Sequence, residues 1–252
     1  MTSCSMGFFV YEFEWLAYSA SLFAAIFGGF VIYLFYQRYQ KKPSVLLKTV
    51  IYFLIFMILA SVIDAVFFTI NRLQPDWRAV FNFVNLGSML SFSCNAVANI
   101  FLLRFTEGVF YENKTHPVRK TLYIGEALVI PPVLLSAFID FDSTVFLLIH
   151  VVLSIAIYGI LIFNSIKLRQ RLLEQGQQEV QVQSLLFIAF SGLFILLALF
   201  SFLTKEVTNM LGYREFFSVA LGWVFGAVAA LFIYLGFFVP DWMKKEQKLE
   251  KK

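Results

Sequence analysis

The sequence predicts an all-α integral membrane protein, a seven-transmembrane helix bundle with its N-terminus outside and its C-terminus in the cytoplasm. The chain of 252 residues is 60% hydrophobic and 14% charged, against roughly 45–50% and about 25% in soluble domains. Its apolar residues fall in seven long runs, without the short alternating segments of a membrane β-barrel. Basic residues are concentrated between alternate runs.

Each run has the length that a helix needs to cross a bilayer. About 20 apolar residues at a rise of about 1.5 Å cover the hydrocarbon core, and a helix satisfies its own backbone groups there. The mean hydropathy of +0.78 agrees with lipid as the main solvent. The predicted spans of this single membrane domain are 13–36, 46–70, 80–103, 121–139, 144–166, 184–204 and 216–239, and a short basic tail follows at 240–252.

The distribution of Lys and Arg predicts the orientation. Cytoplasmic loops are enriched in basic residues, and the first, third and fifth loops, the tail and Lys48 at the start of the second span hold 16 of the 20. This places the protein in the cell membrane as a multi-pass protein, with the lipid bilayer as its first partner. Because topology accounts for the net charge of +4, no nucleic-acid partner is expected.

Polar residues within the predicted spans are the candidate ligand-binding residues, because each is costly in lipid. At 100° per residue, four of those on the third span share one side of a helix. We expect these residues to line an outward-facing polar cavity, and the alternative is that they only hold the helices together through hydrogen bonds. The candidates are Asp64, Asn82, Asn85, Ser88, Asn95, Asn99 and His150.

The fourth and seventh spans carry special backbone residues. Pro131 and Pro132 are expected to kink or break the fourth helix, which makes them a candidate hinge or a static kink. Glu126 is expected near the inner end of that span, within reach of the interface. On the seventh span, Gly222 and Gly226 form a Gly-x-x-x-Gly pattern, which is compatible with a homo-oligomer or with close packing inside the bundle.

Enzyme chemistry and cofactors are not expected. The chain has two histidines, His116 and His150, which are predicted on opposite sides of the membrane, so no metal site is predicted. Neither a Gly-x-Ser-x-Gly elbow nor a phosphate-binding glycine loop is present. The seventh span contains no lysine, which excludes a retinal Schiff base on that helix.

The end of the seventh span carries a resemblance to a known family. Its sequence is Tyr234-Leu-Gly-Phe-Phe-Val-Pro240-Asp-Trp242-Met-Lys-Lys. It resembles the seventh-helix exit of microbial seven-transmembrane sensor regions, which usually precede a histidine kinase or another signalling domain. The resemblance implies a sensory module, and because no kinase sequence follows here, the output is expected to need a separate cytoplasmic partner.

Three functions therefore stay open from the sequence. The first is a receptor-like or sensory module that binds a small ligand, or senses the membrane, and signals through a cytoplasmic partner. The second is a small-solute transporter or channel that uses the polar face of the third helix. The third is an assembly subunit. The loop at 167–183 and the basic tail are the candidate docking segments for a partner or for anionic lipid.

The predicted orientation is testable at one glycosylation pattern, Asn113-Lys-Thr115, in the third loop. Expressed through a eukaryotic secretory route, the chain should keep Asn113 unmodified because the loop is cytoplasmic. A mass increase that disappears in Asn113→Gln would place this loop outside and contradict the orientation.

Overall fold

The computed structural model describes residues 3–73, 83–111, 117–136, 139, 144–210 and 217–238. These residues form seven α-helices, and each predicted span falls on one of them, which confirms the all-α prediction. Asn82, Asn113 and the tail at 240–252 lie outside the described residues. The helices are α1 (Ser3–Lys41), α2 (Val45–Leu73), α3 (Phe83–Phe110), α4 (Pro117–Ser136), α5 (Thr144–Glu174), α6 (Glu179–Met210) and α7 (Phe217–Phe237).

Local sequence sets several helix ends. Ser44 caps α2, with its Oγ accepting a hydrogen bond of 3.1 Å from the Leu47 N–H. The turn between α5 and α6 is made by Gly176, whose φ of +80° lies in the left-handed region that favours glycine. The Gln177 N–H then donates to the Leu172 carbonyl at 3.0 Å, as in a Schellman motif. At this turn α5 ends at Glu174 and α6 begins at Glu179, so both helices extend beyond the predicted spans 144–166 and 184–204.

The helices alternate in direction and form a closed ring. Each packs on its neighbours in the sequence, α7 closes the ring against α1, and α3 also contacts α5. Phe35 of α1 joins this closure through edge-to-face contacts with the rings of Tyr234 and Phe237. We call the end of the bundle where α1 begins the upper end, and the end where α1 finishes the lower end.

Over the residues that the structure describes, six helices, all except α4, are long and apolar enough to cross a membrane. Their outward faces are apolar, with large exposed side chains such as Ile26 and Val152, which are 68% and 65% exposed. Helix α3 is different, because over Leu86–Phe110 Arg104 is its one exposed residue. Helix α3 is thus the central helix of the bundle, and an apolar surface surrounds it on the other helices.

The inner face of helix α4 mixes polar and apolar side chains, whereas its outer face is mainly apolar. Its buried residues recur every three or four positions, the spacing of one helix face. Pro131 and Pro132 lie inside the helix, which continues to Ser136 without a break. Pro131 is on the exposed side, and the hinge role stays a prediction. The buried face comprises Arg119, Leu122, Glu126, Val129, Val133 and Ser136.

Gly222 of the Gly-x-x-x-Gly pattern lies in a close contact between two helices inside the bundle. A Cβ atom at this position would lie 2.8 Å from Cζ of Phe202 on α6, a distance at which the ring would have to move. Gly226 lines a mostly apolar cavity between α1, α2, α6 and α7. Close packing of α6 against α7 therefore accounts for Gly222, and homo-oligomerisation stays a prediction.

Candidate functional site

A polar cavity lies toward the upper end, between α2, α3, α6 and α7. Its empty volume is about 380 Å³, open mouth included. It contains side chains of both charges, which is costly in a membrane interior unless they are paired or solvated. The lining residues are Asp64, Ser88, Ser91, Phe92, Asn95, Phe202, Lys205, Val219 and Trp223.

Hydrogen bonds connect several of the polar side chains that line this cavity, but one of their oxygen atoms has no donor among the described residues. Trp223 Nε1 donates to Asp64 Oδ2 at 3.1 Å, and Lys205 Nζ donates to Ser88 Oγ at 3.2 Å. Asn95 Oδ1 is buried and accepts no hydrogen bond from the described residues. A buried amide oxygen without a donor is costly, so Asn95 is a lining residue whose hydrogen bonding the described residues leave incomplete.

A second polar group is fully buried between α3, α4 and α5. Glu126 and Asn99 are 0% exposed, and His150 is 1% exposed. Glu126 Oε2 lies 2.7 Å from His150 Nδ1, and Glu126 Oε1 accepts a hydrogen bond of 2.7 Å from Asn99 Nδ2. Asn99 also donates to Ser154 Oγ at 2.8 Å and accepts from the Tyr158 hydroxyl at 2.6 Å. This network satisfies a carboxyl group that lipid could not solvate.

Two sequence features bring this network together. His150, Ser154 and Tyr158 recur at intervals of four residues on α5, so they share one face. Gly125 lets α4 approach that face, because a Cβ atom there would lie 2.9 Å from Cδ1 of Leu153. A larger residue next to the carboxylate would therefore require the Leu153 side chain to shift.

A third polar group lies toward the lower end of the same three helices. Arg119 Nε lies 3.4 Å from Glu107 Oε1, and the Tyr123 hydroxyl donates to Glu107 Oε2 at 2.9 Å. The Arg119 guanidinium also lies over the Tyr111 ring, with Cζ 3.6 Å from the centroid, a cation–π contact. The Tyr111 hydroxyl donates to Asn164 Oδ1 at 2.9 Å, which ties α3 to α5.

An apolar layer separates the second and third polar groups. On α3, Leu103 lies one turn from Asn99 and one turn from Glu107, and it is 0% exposed. Buried apolar side chains from α4 and α5 join it in one cluster. Water and ions would therefore have to displace packed side chains to pass between the two groups. The residues from α4 and α5 are Leu122, Ile157 and Leu161.

The structure divides the predicted site residues between two places. Asp64, Ser88 and Asn95 line the upper cavity, whereas Asn99 and His150 belong to the buried network. Asn95 and Asn99 lie one turn apart on the same side of α3. The cavity adjoins α2, α6 and α7 there, whereas the buried network joins α3 to α4 and α5. Asn85 lies in α3, but its side chain is outside the described part, as is all of Asn82.

Sequence reasoning missed most of the buried partners. Glu126 was expected near the interface, and this was wrong: α4 begins at Pro117, so Glu126 lies in its third turn and is fully buried. Glu107 and Arg119 were assigned to a loop, but α3 extends to Phe110 and both residues are on helices that face each other. The four-residue spacing of His150, Ser154 and Tyr158 was the sequence signal that could have predicted a polar face on α5.

The fold and these polar groups define an α-helical multi-pass membrane protein with polar side chains buried along its central helix. Among the residues that the structure describes, no three His, Cys, Asp or Glu side chains are grouped to hold a metal ion. Comparisons with protein-family models, with curated proteins and with solved structures find no match for the chain.

The buried network generates a prediction about stability. We expect Tyr158→Phe to lower the free energy of unfolding in lipid by about 0.6–2 kcal/mol, because Asn99 Oδ1 then loses its donor. In a double-mutant cycle with Asn99→Ala, the two losses should be coupled by about 0.6–1.7 kcal/mol. The matched control is Tyr33→Phe, which removes an exposed hydroxyl that accepts from Gln37 and should change stability by under about 0.5 kcal/mol. Additive losses would contradict a connected network.

Proposed function

We propose that the chain is a seven-span receptor-like module in the cell membrane, in which α4 also crosses the membrane, as the fourth span. Helix α4 carries three charged residues in twenty, which lowers its apolar character. Two of the three, Arg119 and Glu126, are buried and partnered within the protein. Its outward face presents Leu128 and Ile124, which are 66% and 50% exposed. Partnered charges facing inward are compatible with a membrane-spanning helix.

The proposed orientation puts the lower end in the cytoplasm and the upper cavity toward the outside. Exposed basic side chains surround the lower end, as the positive-inside rule requires of a cytoplasmic face. Asp64 lies in the second half of α2 and Lys205 near the end of α6, both toward the upper end. The exposed basic residues at the lower end are Arg38, Lys41, Lys42, Lys48, Arg104, Lys120, Lys167 and Arg171.

The observation that carries the receptor proposal is the upper cavity itself. It brings a carboxylate, an ammonium group, an amide and an indole to one opening in an otherwise apolar bundle. Small-molecule sites are concave, mostly apolar and fitted with a few polar groups that fix the ligand's orientation. A small polar ligand arriving from outside would bind here.

Helix α3 offers the route by which binding would reach the cytoplasmic end. It presents Asn95 to the cavity, Asn99 to the buried network and Glu107 to the lower group. A ligand that favours one position of α3 would therefore alter hydrogen bonds with α4 and α5 below it. The α5–α6 hairpin, where Arg169 pairs with Glu179 at 2.7 Å, is the proposed docking point for a cytoplasmic partner.

A second candidate function, a small-solute transporter, is favoured by the arrangement of the three polar groups. They occur in succession along α3, and the buried Leu103 layer separates the lower two. Polar sites separated by a closable apolar layer are typical of alternating-access proteins. Uptake of a bound solute into proteoliposomes would support the transporter, whereas binding without uptake would support the receptor.

The cavity proposal can be tested by a stability screen of the full chain in lipid nanodiscs. We expect at least one compound, from a panel of zwitterions, cations, anions and neutral polar solutes, to raise the melting temperature by about 5 °C or more at saturation. Asp64→Asn should abolish the effect, because it removes the charge but keeps the size of the side chain. Glu179→Gln, the same change at an exposed residue outside the cavity, should preserve it. A panel without any Asp64-dependent hit would contradict the receptor proposal.

A further inference from the structure

A groove lies on the outside of α3 between α2 and α4, toward the lower end of the bundle. Both of these helices pack on α3, whereas over the described residues they share no substantial contact with each other. Between them α3 is only partly covered, because Val97 and Phe101 are half-buried and Arg104 is exposed. Arg104 is the one exposed residue of α3 over Leu86–Phe110, so this groove is the place where the central helix meets its surroundings.

The contacts of neighbouring residues on α3 fix the direction of Arg104. One turn above it, Phe101 packs on α2, with its ring centroid 5.2 Å from that of Tyr52. One turn below it, Glu107 accepts a hydrogen bond of 2.9 Å from the Tyr123 hydroxyl of α4. At about 100° per residue, Arg104 lies about 60° around the helix from each of these two residues and between them. The Arg104 charge also reaches the Tyr123 hydroxyl, so the guanidinium lies in the groove.

Two lysines lie at the same end of the groove, one on each flanking helix. Lys48 is the fourth residue of α2 and Lys120 the fourth residue of α4, and both side chains are exposed. Lys48 Nζ lies 5.7 Å from the ring centroid of Tyr52, the same ring that packs on Phe101. Lys120 comes three residues before Tyr123, so the two share one side of α4. Three cations from three consecutive helices are therefore grouped around the lower end of the groove.

The groove combines these charges with an apolar floor. Arg104, Lys48 and Lys120 form no ion pair with an acidic side chain among the residues that the structure describes. A guanidinium group has five N–H donors in a planar fork that matches the geometry of a phosphate group. Above the cations, Val97 and Phe101 line the groove with apolar surface. An amphiphile with a phosphate group and a hydrocarbon chain is complementary to both parts.

We propose that this groove binds an anionic phospholipid of the cytoplasmic leaflet, with its phosphate group between Arg104, Lys48 and Lys120 and an acyl chain along α3. Anionic lipids of that leaflet attract basic residues close to the membrane surface, and the lower end is the proposed cytoplasmic end. The inference goes beyond the receptor proposal, because the site lies on the lipid-facing side of the bundle, away from the upper cavity. It requires the bundle to be in the membrane but requires no ligand in that cavity.

The site is tested by photo-crosslinking of the full chain in nanodiscs that contain equal amounts of phosphatidylglycerol and phosphatidylcholine with the same acyl chains. p-Benzoylphenylalanine in place of Tyr52 puts the crosslinker in the groove. The matched control has it in place of Tyr33, an exposed aromatic residue on the outer surface of α1. At Tyr52 we expect capture of phosphatidylglycerol to exceed that of phosphatidylcholine at least about threefold, and at Tyr33 we expect no such preference. Equal capture of both lipids at Tyr52, or the same preference at both positions, would overturn the proposal.

The role of the charges is tested by variants that carry the crosslinker at Tyr52. Arg104→Gln removes the guanidinium charge and should abolish the preference for phosphatidylglycerol. Arg171→Gln, the same change at an exposed residue of α5 at the same end, should preserve it. An unchanged preference in Arg104→Gln would contradict the site. If Arg104→Gln fails to fold, the double variant Lys48→Gln with Lys120→Gln takes its place and should lose the preference for the same reason.

Competition distinguishes a lipid from a soluble phosphate compound. Glycerol phosphate carries the same phosphate group without acyl chains, so an excess of it should leave the capture of phosphatidylglycerol at Tyr52 unchanged. Loss of capture would show that the groove holds a soluble anion, and would overturn the lipid inference. None of these outcomes depends on Asp64 or on the compound panel, so this inference and the receptor proposal can fail separately.

Discussion

Lipid offers no hydrogen bonds, so each polar side chain in the interior of this bundle depends on a partner that the protein itself supplies. Helix α3 meets this constraint by occupying the centre, with Arg104 as its one exposed residue over the described range. Its Asn99 and Glu107 are matched by groups from α4 and α5, and its Ser88 and Asn95 line the cavity with residues of α2, α6 and α7.

The same constraint explains why the three polar groups differ in character. The Glu126 network is closed, since the described protein supplies partners for the carboxyl, the imidazole and the amide of Asn99. The lower group is also closed, with Glu107 held by Arg119 and Tyr123. The upper cavity is open, since Asn95 Oδ1 has no donor among the described residues and charged side chains, Asp64 and Lys205, are part of its lining. An open polar site beside two closed ones is the arrangement expected of a binding site supported by a fixed framework.

Apolar run lengths were sufficient to predict seven helices and to place a helix over each run, because hydrocarbon thickness fixes those lengths. The polar groups were harder to predict, since their partners are distant in sequence: Asn99 bonds to Glu126 and to Tyr158, 27 and 59 residues away. Errors of a few residues in the predicted helix ends also hid polar partners. Ending the third span at 103 and beginning the fourth at 121 put Glu107 and Arg119 in a loop, and so hid an ion pair that needs both helices to be longer.

The most direct measurement is a nitroxide scan along α4 in lipid bilayers, because this helix combines buried charges with an apolar outer face. Spin labels at Ile124, Leu128 and Leu135 should be relaxed by oxygen, which concentrates in lipid, and protected from a water-soluble nickel complex. Labels at Val129 and Val133 should be protected from both reagents, because these positions face α3 and α5. Relaxation by the nickel complex along the whole outer face would show that α4 lies in water, and would contradict a seven-span bundle that encloses its polar groups.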